Sequence, residues 1–440
     1  MGSYIPNSPD EQQQMLSAVG ATDFESLYAD VPASMLLEEG ALHLPDGLSE
    51  MEVSEAVKAL SAKNRVFPHI FRGAGAYQHC IPAIVTNVVS KEEFVTAYTP
   101  YQAEISQGVL QSIFEYQTMI CELTGMEVSN ASVYDGATAA AEAVAMCREK
   151  KRNVALVSAA AQPQVISVIR TYCFGNGMEV RLIPEKDGRT DLEALAGMLG
   201  DDVACVYLQQ PNFYGCLEDG QKAADLTHGG KAKLIVGCNP ISLGALEPPA
   251  AYGADIAVGE GQPLGMPLSF GGPYLGFMAT GKALMRKLPG RIVGQTTDTN
   301  GKVGYVLTLQ AREQHIRREK AGSNICSNQA LCAMTASVYL AAMGWNGLSQ
   351  AAKSCMANAH YLADQLSGIG YPRKHTGPYF HEFVTTCPVP ASKALAALAQ
   401  HGYLGGLALN DREILWCATE KNRKAEMDEL VSILKEVRGE

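Results

Sequence analysis

Short apolar segments alternate with helical segments through the middle of the chain, and this alternation restricts the fold more than any other feature of the sequence. The apolar runs show no polar alternation, which is typical of strands that are covered on both faces. Strands that alternate with helices predict an α/β domain with a mostly parallel sheet. The strand candidates are residues 154–158, 178–183, 203–208, 234–238, 255–258 and 274–279.

The segment before this alternation is predicted to be mainly helical. Helical patterns at residues 8–19 and 52–62, separated by proline-containing turns, predict an N-terminal helical arm over residues 1–70. A helical stretch follows from Phe94. We expect it to stop at Gly125, because glycine readily adopts the left-handed conformation that ends many helices.

The segment after the alternation predicts a second, smaller domain. A long helix is expected over residues 328–365, broken near Gly344. It is followed by strand and helix patterns at 380–387, 392–401 and 414–418 and by an amphipathic C-terminal helix. We therefore expect a large α/β domain at residues 71–325 and a smaller C-terminal α/β domain, which includes the long connecting helix, at residues 326–440.

Local signals mark the starts of two helices. An alanine-rich helix begins near Asp135, and its free amide groups could hold a phosphate. Capping by Asp135 or Ser132 is the favoured interpretation, because a carboxylate beside a phosphate would be repulsive. Thr190 and Glu193 have the spacing of a capping box at the start of another helix.

Composition excludes several classes of protein. The net charge of −11 argues against a broad surface for nucleic acid or anionic membranes. The sequence has no N-terminal apolar segment, and its uncharged runs are too rich in glycine and proline, or too short, for a membrane span. Its twelve cysteines form no CxxC pair and its nine histidines no HxxxH pair. We interpret the cysteines as reduced, mostly buried thiols of a cytoplasmic protein and expect no metal site.

Three polar or glycine-rich segments have more than one interpretation. Residues 73–78 begin like a dinucleotide-binding fingerprint but lack its third glycine and follow no clear strand, which favours a tight turn. Residues 98–108 place two phenols, an amide and a carboxylate in a proline-containing turn. This turn either begins a helix, with Glu104 near the positive end of the dipole, or offers polar groups to a site or partner. The charged run at 312–320 is typical of a solvated helix face and could also bind an acidic partner.

A large α/β domain followed by a smaller one favours the aspartate-aminotransferase-like fold of pyridoxal-phosphate enzymes. Such an enzyme needs a lysine for the Schiff base and an aspartate beside the pyridinium nitrogen. No acid follows the strand at 234–238, and no lysine occurs between Lys233 and Lys282. If the fold is correct, this chain cannot anchor the cofactor at the usual place.

Several long blocks resemble the P-protein family of the glycine cleavage system. The resemblance covers essentially the whole chain, and Gly322 is one departure, because the family is expected to have threonine there. The chain length and the missing lysine resemble the N-terminal-half type, subunit 1 (alpha) of glycine dehydrogenase (decarboxylating). The blocks are residues 73–79, 98–108, 114–120, 134–138, 253–259, 271–273 and 316–326.

The resemblance implies a fold, an activity and partners. It implies a pyridoxal phosphate (PLP)-dependent transferase of fold type I. Glycine would be decarboxylated on PLP, and the aminomethyl group would pass to the lipoyl group of H-protein. The resemblance places the cofactor on subunit 2 (beta), in an alpha2beta2 assembly, with no PLP bound covalently to this chain. Gln262 would stand at the lost-lysine position, and Cys238 or Asn239 at the lost-aspartate position.

On this interpretation the chain has no catalytic residue of its own and instead lines the active site of its partner. In this fold the active site lies at the dimer interface, where the partner supplies walls and excludes water. His79 is the weakest candidate, because a lone histidine is more often structural. The candidate lining residues are Tyr98, Thr99, Tyr101, Gln102, Glu104, Ser323, Asn324 and His79.

Two other functions stay open from the residues alone. One is a self-contained PLP enzyme, similar to an aminotransferase or desulfurase, that uses a lysine elsewhere in the chain. The other is a non-catalytic scaffold or regulatory homologue that has lost its link to glycine decarboxylation. Bound cofactor on the isolated chain would favour the first, and activity that requires two chains would exclude the second.

Overall fold

The computed structural model describes residues 7–38, 41–96 and 100–438, and the chain divides into two compact units, Met1–Val66 and Phe67–Glu440. The first unit contains helices α1 (Pro9–Ala18) and α2 (Glu50–Ser61). Both helices begin with a capping box in which a serine and a glutamate satisfy each other's backbone N–H groups. The two helices expected in this segment are therefore confirmed.

The second unit contains all remaining α-helices and strands of the described chain. Its helices are α3 (Ala83–Val89), α4 (Glu92–Val95), α5 (Gln107–Thr124), α6 (Gly136–Cys147), α7 (Pro163–Asn176), α8 (Leu192–Met198), α9 (Gly220–Gly229), α10 (Gln314–Arg317), α11 (Ala330–Gly368), α12 (Ala391–Gln400) and α13 (Lys424–Arg438). Its strands are β1 (His69–Ile70), β2 (Val128–Ser129), β3 (Val154–Ser158), β4 (Glu179–Ile183), β5 (Glu185–Lys186), β6 (Arg189–Thr190), β7 (Val203–Gln210), β8 (Lys233–Cys238), β9 (Ile256–Glu260), β10 (Gly276–Thr280), β11 (Val293–Thr297), β12 (Val303–Leu307), β13 (Glu382–Thr386), β14 (Tyr403–Leu404), β15 (Leu407–Asn410) and β16 (Glu413–Cys417).

A seven-stranded sheet with the order β2-β10-β9-β8-β7-β3-β4 forms the centre of this unit. Strands β9, β8, β7, β3 and β4 are mutually parallel, whereas β10 pairs antiparallel with both β9 and β2. All six strands expected from the apolar runs are present, and the prediction of an α/β fold with a mostly parallel sheet is confirmed.

Burial on both faces explains why the strands inside the sheet show no polar alternation, whereas the edge strand β4 is mostly exposed or half-buried. Every residue of β3 is buried. Leu156 and Val206 face one hydrophobic core, and Val157 and Tyr207 face the other. Because successive side chains of a strand point to opposite faces, each strand must be apolar throughout to contribute to both cores.

Two local predictions are wrong and two are confirmed. Phe94 lies in the short helix α4, and the long helix α5 begins only at Gln107, because turns occupy the described residues between them. Helix α8 is capped by Asp191, whose carboxylate accepts from the backbone N–H groups of Glu193 and Ala194. The expected capping box with Thr190 is therefore absent: the side chain of Thr190 forms a hydrogen bond with Ser158 instead. The predicted stop at Gly125, with φ of 71°, is confirmed, as is the cap of α6 by Asp135.

The smaller C-terminal part follows the long helix α11, which is kinked at Gly344 with φ of 58° and ψ of −178°. This kink confirms the predicted break. Strands β13, β16 and β15 form an antiparallel sheet in that order. Helices α11, α12 and α13 pack on this sheet around the fully buried Trp416, whose indole N–H donates to Thr385.

No helix among the described residues is both long and apolar enough to cross a bilayer. All twelve cysteines are free thiols, and eight of them are buried.

Candidate functional site

A cavity of about 370 Å³ opens at the carboxyl ends of β7, β8 and β9, beside the N-terminus of α6. Ligands of open α/β sheets bind at this edge, because the loops that follow the strands converge there. None of the described residues that line the cavity is a lysine or an arginine.

Two carboxyl groups of the chain itself occupy the N-terminus of α6. Asp135 accepts from the backbone N–H of Thr138 at 2.7 Å. Glu260 accepts from the backbone N–H groups of Gly136, Gln262 and Leu275 at 2.9, 2.9 and 3.1 Å. Burial raises the pKa of Glu260 to about 7, although these three donors favour its ionised form. Two of the amide groups at this helix end, those of Gly136 and Thr138, are therefore already bound by carboxyl groups of the chain.

Gly136 makes the close contact with Glu260 possible. A Cβ atom at position 136 would lie 2.7 Å from the backbone nitrogen of Glu260, closer than nonbonded atoms can approach. The glycine that would admit a phosphate in a nucleotide-binding turn here admits the glutamate instead.

Gln262 follows β9 and is only 1% exposed. Its amide Nε2 donates to the backbone oxygens of Tyr77 and Met266 at 2.9 and 2.7 Å, and its Oε1 accepts from the Tyr77 N–H at 3.0 Å. All three bonds are to the backbone, and the residue is not part of the cavity lining. The side chain at the position proposed for the lost lysine thus fastens the turn at 73–78 to the end of β9.

Cys238 and Asn239 end β8 and line the same cavity. Burial raises the pKa of Cys238 to about 12, so this side chain is a neutral thiol at physiological pH. Asn239 Oδ1 accepts from the backbone N–H of Ile241 at 2.9 Å, which holds the turn after the strand. Neither side chain supplies the negative charge that a pyridinium nitrogen requires.

The smaller C-terminal part covers the cavity with groups that sequence reasoning missed. Glu382 accepts from the Tyr77 hydroxyl at 2.8 Å and from the Ala74 N–H at 2.6 Å. Burial raises the pKa of Glu382 to about 7 and lowers that of His381 to about 3. The signal for this contact was the glycine pair at 73 and 75. Gly75 has φ of 111°, and the turn that residues 73–75 form admits Glu382 and Gln162 at close range.

The arrangement does not fit PLP. The cavity offers no lysine amine among its described lining residues and no carboxylate at the end of β8, and the N–H groups at the start of α6 are bound by Glu260 and Asp135. Phosphate binding there would have to displace two carboxyl groups and bring a dianion beside them.

The structure brings two of the predicted lining segments together on another part of the surface. The hydroxyl of Tyr101 donates to Asn328, whose side-chain amide in turn donates to Ala131 O and Ser132 Oγ at 3.0 and 3.1 Å. The Arg291 guanidinium lies 5.1 Å from the centre of the Tyr101 ring, and burial raises the pKa of this phenol. Residues 100–105 and 323–328 therefore meet at the Tyr101–Asn328 contact, and we refer to their polar groups together as the polar surface.

The other candidates on this surface differ in exposure. Gln102, Glu104 and Asn324 are exposed. Ser323 is half-buried, and its hydroxyl donates to Glu142 at 2.9 Å and accepts from the Ile325 N–H at 2.8 Å. Tyr98 and Thr99 lie outside the described residues.

His79 lies apart from this surface. Its Nδ1 is 2.8 Å from Glu420 Oε2, and the thiol of Cys355 donates to the same oxygen at 3.1 Å. These three potential metal-ligating atoms lie within 4.8 Å of one another. Because Glu420 already joins His79 and Cys355 through hydrogen bonds, we interpret the three side chains as a structural polar contact and not as a metal site.

Comparison with known proteins adds a family and close relatives. The profile of the family described as "Glycine cleavage system P-protein" matches residues 2–434. The "Probable glycine dehydrogenase (decarboxylating) subunit 1" of Moorella thermoacetica is 51% identical, covering 98% of this chain and 99% of the relative. The protein of the same name from Carboxydothermus hydrogenoformans is 49% identical, covering 98% and 99%.

Solved structures agree with the fold assignment. A crystal structure of glycine decarboxylase (P-protein) of the glycine cleavage system, in inhibitor-bound form, matches with a TM-score of 0.93 and 43% identity, covering 99% of this chain and 100% of that one. An alanine–glyoxylate aminotransferase from Nostoc sp. matches with a TM-score of 0.61 at 17% identity, covering 91% and 100%, and shows the fold alone. The expected PLP-dependent transferase fold of type I is confirmed.

Proposed function

Because this chain belongs to the P-protein family of the glycine cleavage system, we propose that it is subunit 1 (alpha) of a glycine dehydrogenase (decarboxylating) whose PLP is carried by subunit 2 (beta). The family match over residues 2–434 and the names of the relatives support the assignment to subunit 1. Together with the beta subunit, in an alpha2beta2 assembly, it would decarboxylate glycine and pass the aminomethyl group to the lipoyl group of H-protein.

One observation carries the division of labour between the two chains. In this chain side chains of its own bind the groups around the cavity: Gln262 forms three hydrogen bonds to the backbone, and Glu260 and Asp135 accept from the amides of Gly136 and Thr138 at the start of α6. With these two amides bound, the start of α6 offers fewer donors to a phosphate, and the described lining residues offer no lysine amine for a Schiff base. This arrangement supports the proposal that the chemistry takes place on a partner chain.

The contribution of this chain is the polar surface of residues 100–105 and 323–328. We propose that Tyr101, Gln102, Glu104, Ser323 and Asn324 line the beta subunit's active site across the interface, together with Tyr98 and Thr99 of the same sequence block. Tyr101 is fixed by Asn328 and Arg291, so its ring is a positioned wall and not a mobile side chain. Such a wall excludes water from the reacting groups and orients what binds there.

His79 is a weaker member of this proposal. Its ring is buried and joined to Glu420 on the side of the smaller C-terminal part, so its role would be to hold the fold around the interface.

Reconstitution tests the proposal. The full chain is purified alone, subunit 2 is purified alone, and glycine–bicarbonate exchange is measured for each and for the mixture. We expect exchange only in the mixture, and we expect the isolated chain to be colourless and to give no borohydride-trapped cofactor adduct. A yellow, trappable chain would favour the self-contained PLP enzyme. Exchange by subunit 2 alone at the rate of the mixture would reduce this chain to a scaffold.

A second experiment tests the surface. Tyr101→Phe removes the hydroxyl bond to Asn328, and Glu104→Ala removes an exposed carboxylate. Each should lower exchange activity of the mixture by roughly tenfold, while size-exclusion chromatography shows intact assembly. Tyr172→Phe on α7 and Glu122→Ala on α5 are matched controls outside the surface. If both test variants turn over like their controls, the surface does not line the active site.

A further inference from the structure

A second cavity, of about 330 Å³, lies at the opposite, C-terminal end of α6. Its walls come from the end of α6, residues 286–290 and residues 312–325. Six cationic side chains line it: Arg148, Arg286, Lys287, Arg312, Arg317 and Lys320. In a chain with a net charge of −11, a cavity of this composition is a marked local reversal of charge.

The chain neutralises only part of this positive charge. Glu313 and Glu142 are the carboxyl groups among the lining residues. Glu313 forms an ion pair with Arg291, which is not one of the six. Glu142 is 3% exposed, accepts from Ser323, and has its pKa raised by burial to about 7. Neither carboxyl group forms an ion pair with any of the six cations within the part of the chain that the structure describes.

Two of the six cationic side chains donate hydrogen bonds to backbone oxygens. The ammonium group of Lys287 donates to Met146 O at 3.2 Å, at the negative end of the α6 dipole. Arg312 donates to the backbone oxygens of Leu288 and Gly290. The other four, which are exposed at the rim, form no ion pair among the described residues: Arg148, Arg286, Arg317 and Lys320.

Arg312 carries the most unusual part of the site. Its Nε is buried and has no hydrogen-bond partner among the described atoms, and the same holds for Nε of Arg291. Burial, together with the charge of Arg291, lowers the pKa of Arg312 to about 10. Glu313 pairs with Arg291, so the neighbouring Arg312 guanidinium has no carboxylate partner among the described residues, and a further negative charge would stabilise it.

We propose that this cavity is a binding site for a small phosphate-bearing anion, either inorganic phosphate or a phosphate monoester. The guanidinium fork matches the geometry of phosphate oxygens, and lysine adds a point charge. The cavity is concave and walled by three segments, so it suits a molecule of a few heavy atoms better than the flat face of an acidic protein. Bound phosphate would join residues 312–325 to the end of α6.

Phosphate titration of the full-length chain tests the site. Thermal unfolding and isothermal titration calorimetry are carried out with inorganic phosphate and, separately, with glycerol 3-phosphate, at an ionic strength held constant with chloride. We expect saturable stabilisation by at least one of them, and the more effective ligand identifies the source of the phosphate. The variant Arg317→Gln/Lys320→Gln should weaken this binding by about tenfold or more, because it removes two rim cations and leaves the core intact.

The double variant Arg170→Gln/Lys302→Gln is the matched control. It removes one arginine and one lysine, both exposed, that do not line the cavity. Binding should match that of the unmodified chain. Equal phosphate affinity in the test and control variants, or stabilisation that chloride reproduces at the same ionic strength, would overturn the proposal. Because no partner chain or PLP enters the measurement, its failure would leave the proposed subunit function unaffected.

Discussion

The two cavities lie at opposite ends of α6, and the chain treats their charges in opposite ways. At the N-terminus of the helix, where unpaired N–H groups favour an anion, Asp135 and Glu260 supply it from within the chain. At the C-terminus, cations collect around the last carbonyl groups, but their number exceeds the carboxylates available. Carboxyl groups of the chain bind amides at the N-terminal end, whereas the C-terminal end has more cationic side chains than carboxylates.

The N-terminal end of α6 shows how the chain's own carboxyl groups can take the partners that a bound phosphate would have there. Removing a phosphate from a helix N-terminus would leave buried N–H groups without partners, which is costly. In this chain Glu260 binds the Gly136 N–H, and Gln262, at the position proposed for the lost lysine, is an amide with three backbone partners. The site has therefore become part of the hydrogen-bonded framework. The cationic cavity has no such replacement.

The largest expected effect on the free energy of unfolding comes from Gln262, beside the N-terminal end of α6. Gln262→Ala leaves the backbone groups of Tyr77 and Met266 without their side-chain partners in a buried position. We expect the free energy of unfolding to fall by about 2–4 kcal/mol, as measured by urea denaturation. Gln221→Ala, at an exposed position on α9, should change it by less than about 0.5 kcal/mol. If Gln262→Ala lowers the free energy of unfolding no more than Gln221→Ala, the hydrogen bonds of Gln262 do not stabilise the fold.

A smaller effect is expected from pH at the cationic end. The folded-state pKa of Glu142 is about 7, above its ordinary value of 4.5. The group therefore contributes stability at low pH that is lost as the pH rises from about 4.5 through 7. As the pH is raised from 5 to 8, the free energy of unfolding of Glu142→Gln should increase by about 1–3 kcal/mol relative to that of the unmodified chain. Urea denaturation of both proteins at each pH measures this difference.

The exposed Glu149, two residues beyond the end of the helix, supplies the control for this titration. Glu149→Gln should leave the pH dependence of the unmodified chain in place. Parallel pH profiles for Glu142→Gln and the unmodified chain would show that Glu142 stays ionised, and the cavity would then be less cationic than its geometry indicates.

Those parts of the fold that depend on periodicity could be predicted from the sequence. The six expected strands and the break at Gly344 follow from apolar runs and from glycine, which are local signals. Strand β2 and the β11–β12 hairpin were missed. Strand β2 has only two residues, and its neighbour in the sheet is β10, far along the chain. Thr190 shows the same limit on a smaller scale, because a tertiary hydrogen bond to Ser158 outweighed the local capping pattern.

The sequence shows directly that no lysine follows the strand, but it does not predict which side chains bind the groups around the cavity. Residue counting shows that no lysine lies between Lys233 and Lys282. That Glu260 would reach the amide of Gly136, 124 positions away, depends on the order of the sheet strands. Glu382 likewise reaches Tyr77 only when the smaller C-terminal part is in place. The sequence alone offered glycines at these contacts, which indicate close approach without naming what approaches.

The smallest expected effect is that a lysine at position 262 brings no PLP binding. The opposite result would contradict the contrast between the two ends of α6 most directly. Gln262→Lys introduces an amine at the position proposed for the lost lysine, yet Glu260 still binds the amide of Gly136 at the start of α6, and Cys238 still provides no charge. We expect this variant to remain colourless after incubation with PLP and to trap no cofactor with borohydride. Adding Glu260→Ala to it frees three backbone donors and offers the matched comparison. If the single variant already binds PLP covalently, the carboxyl group at the helix end is no barrier, and the N-terminal cavity is as open to an anion as the cationic one.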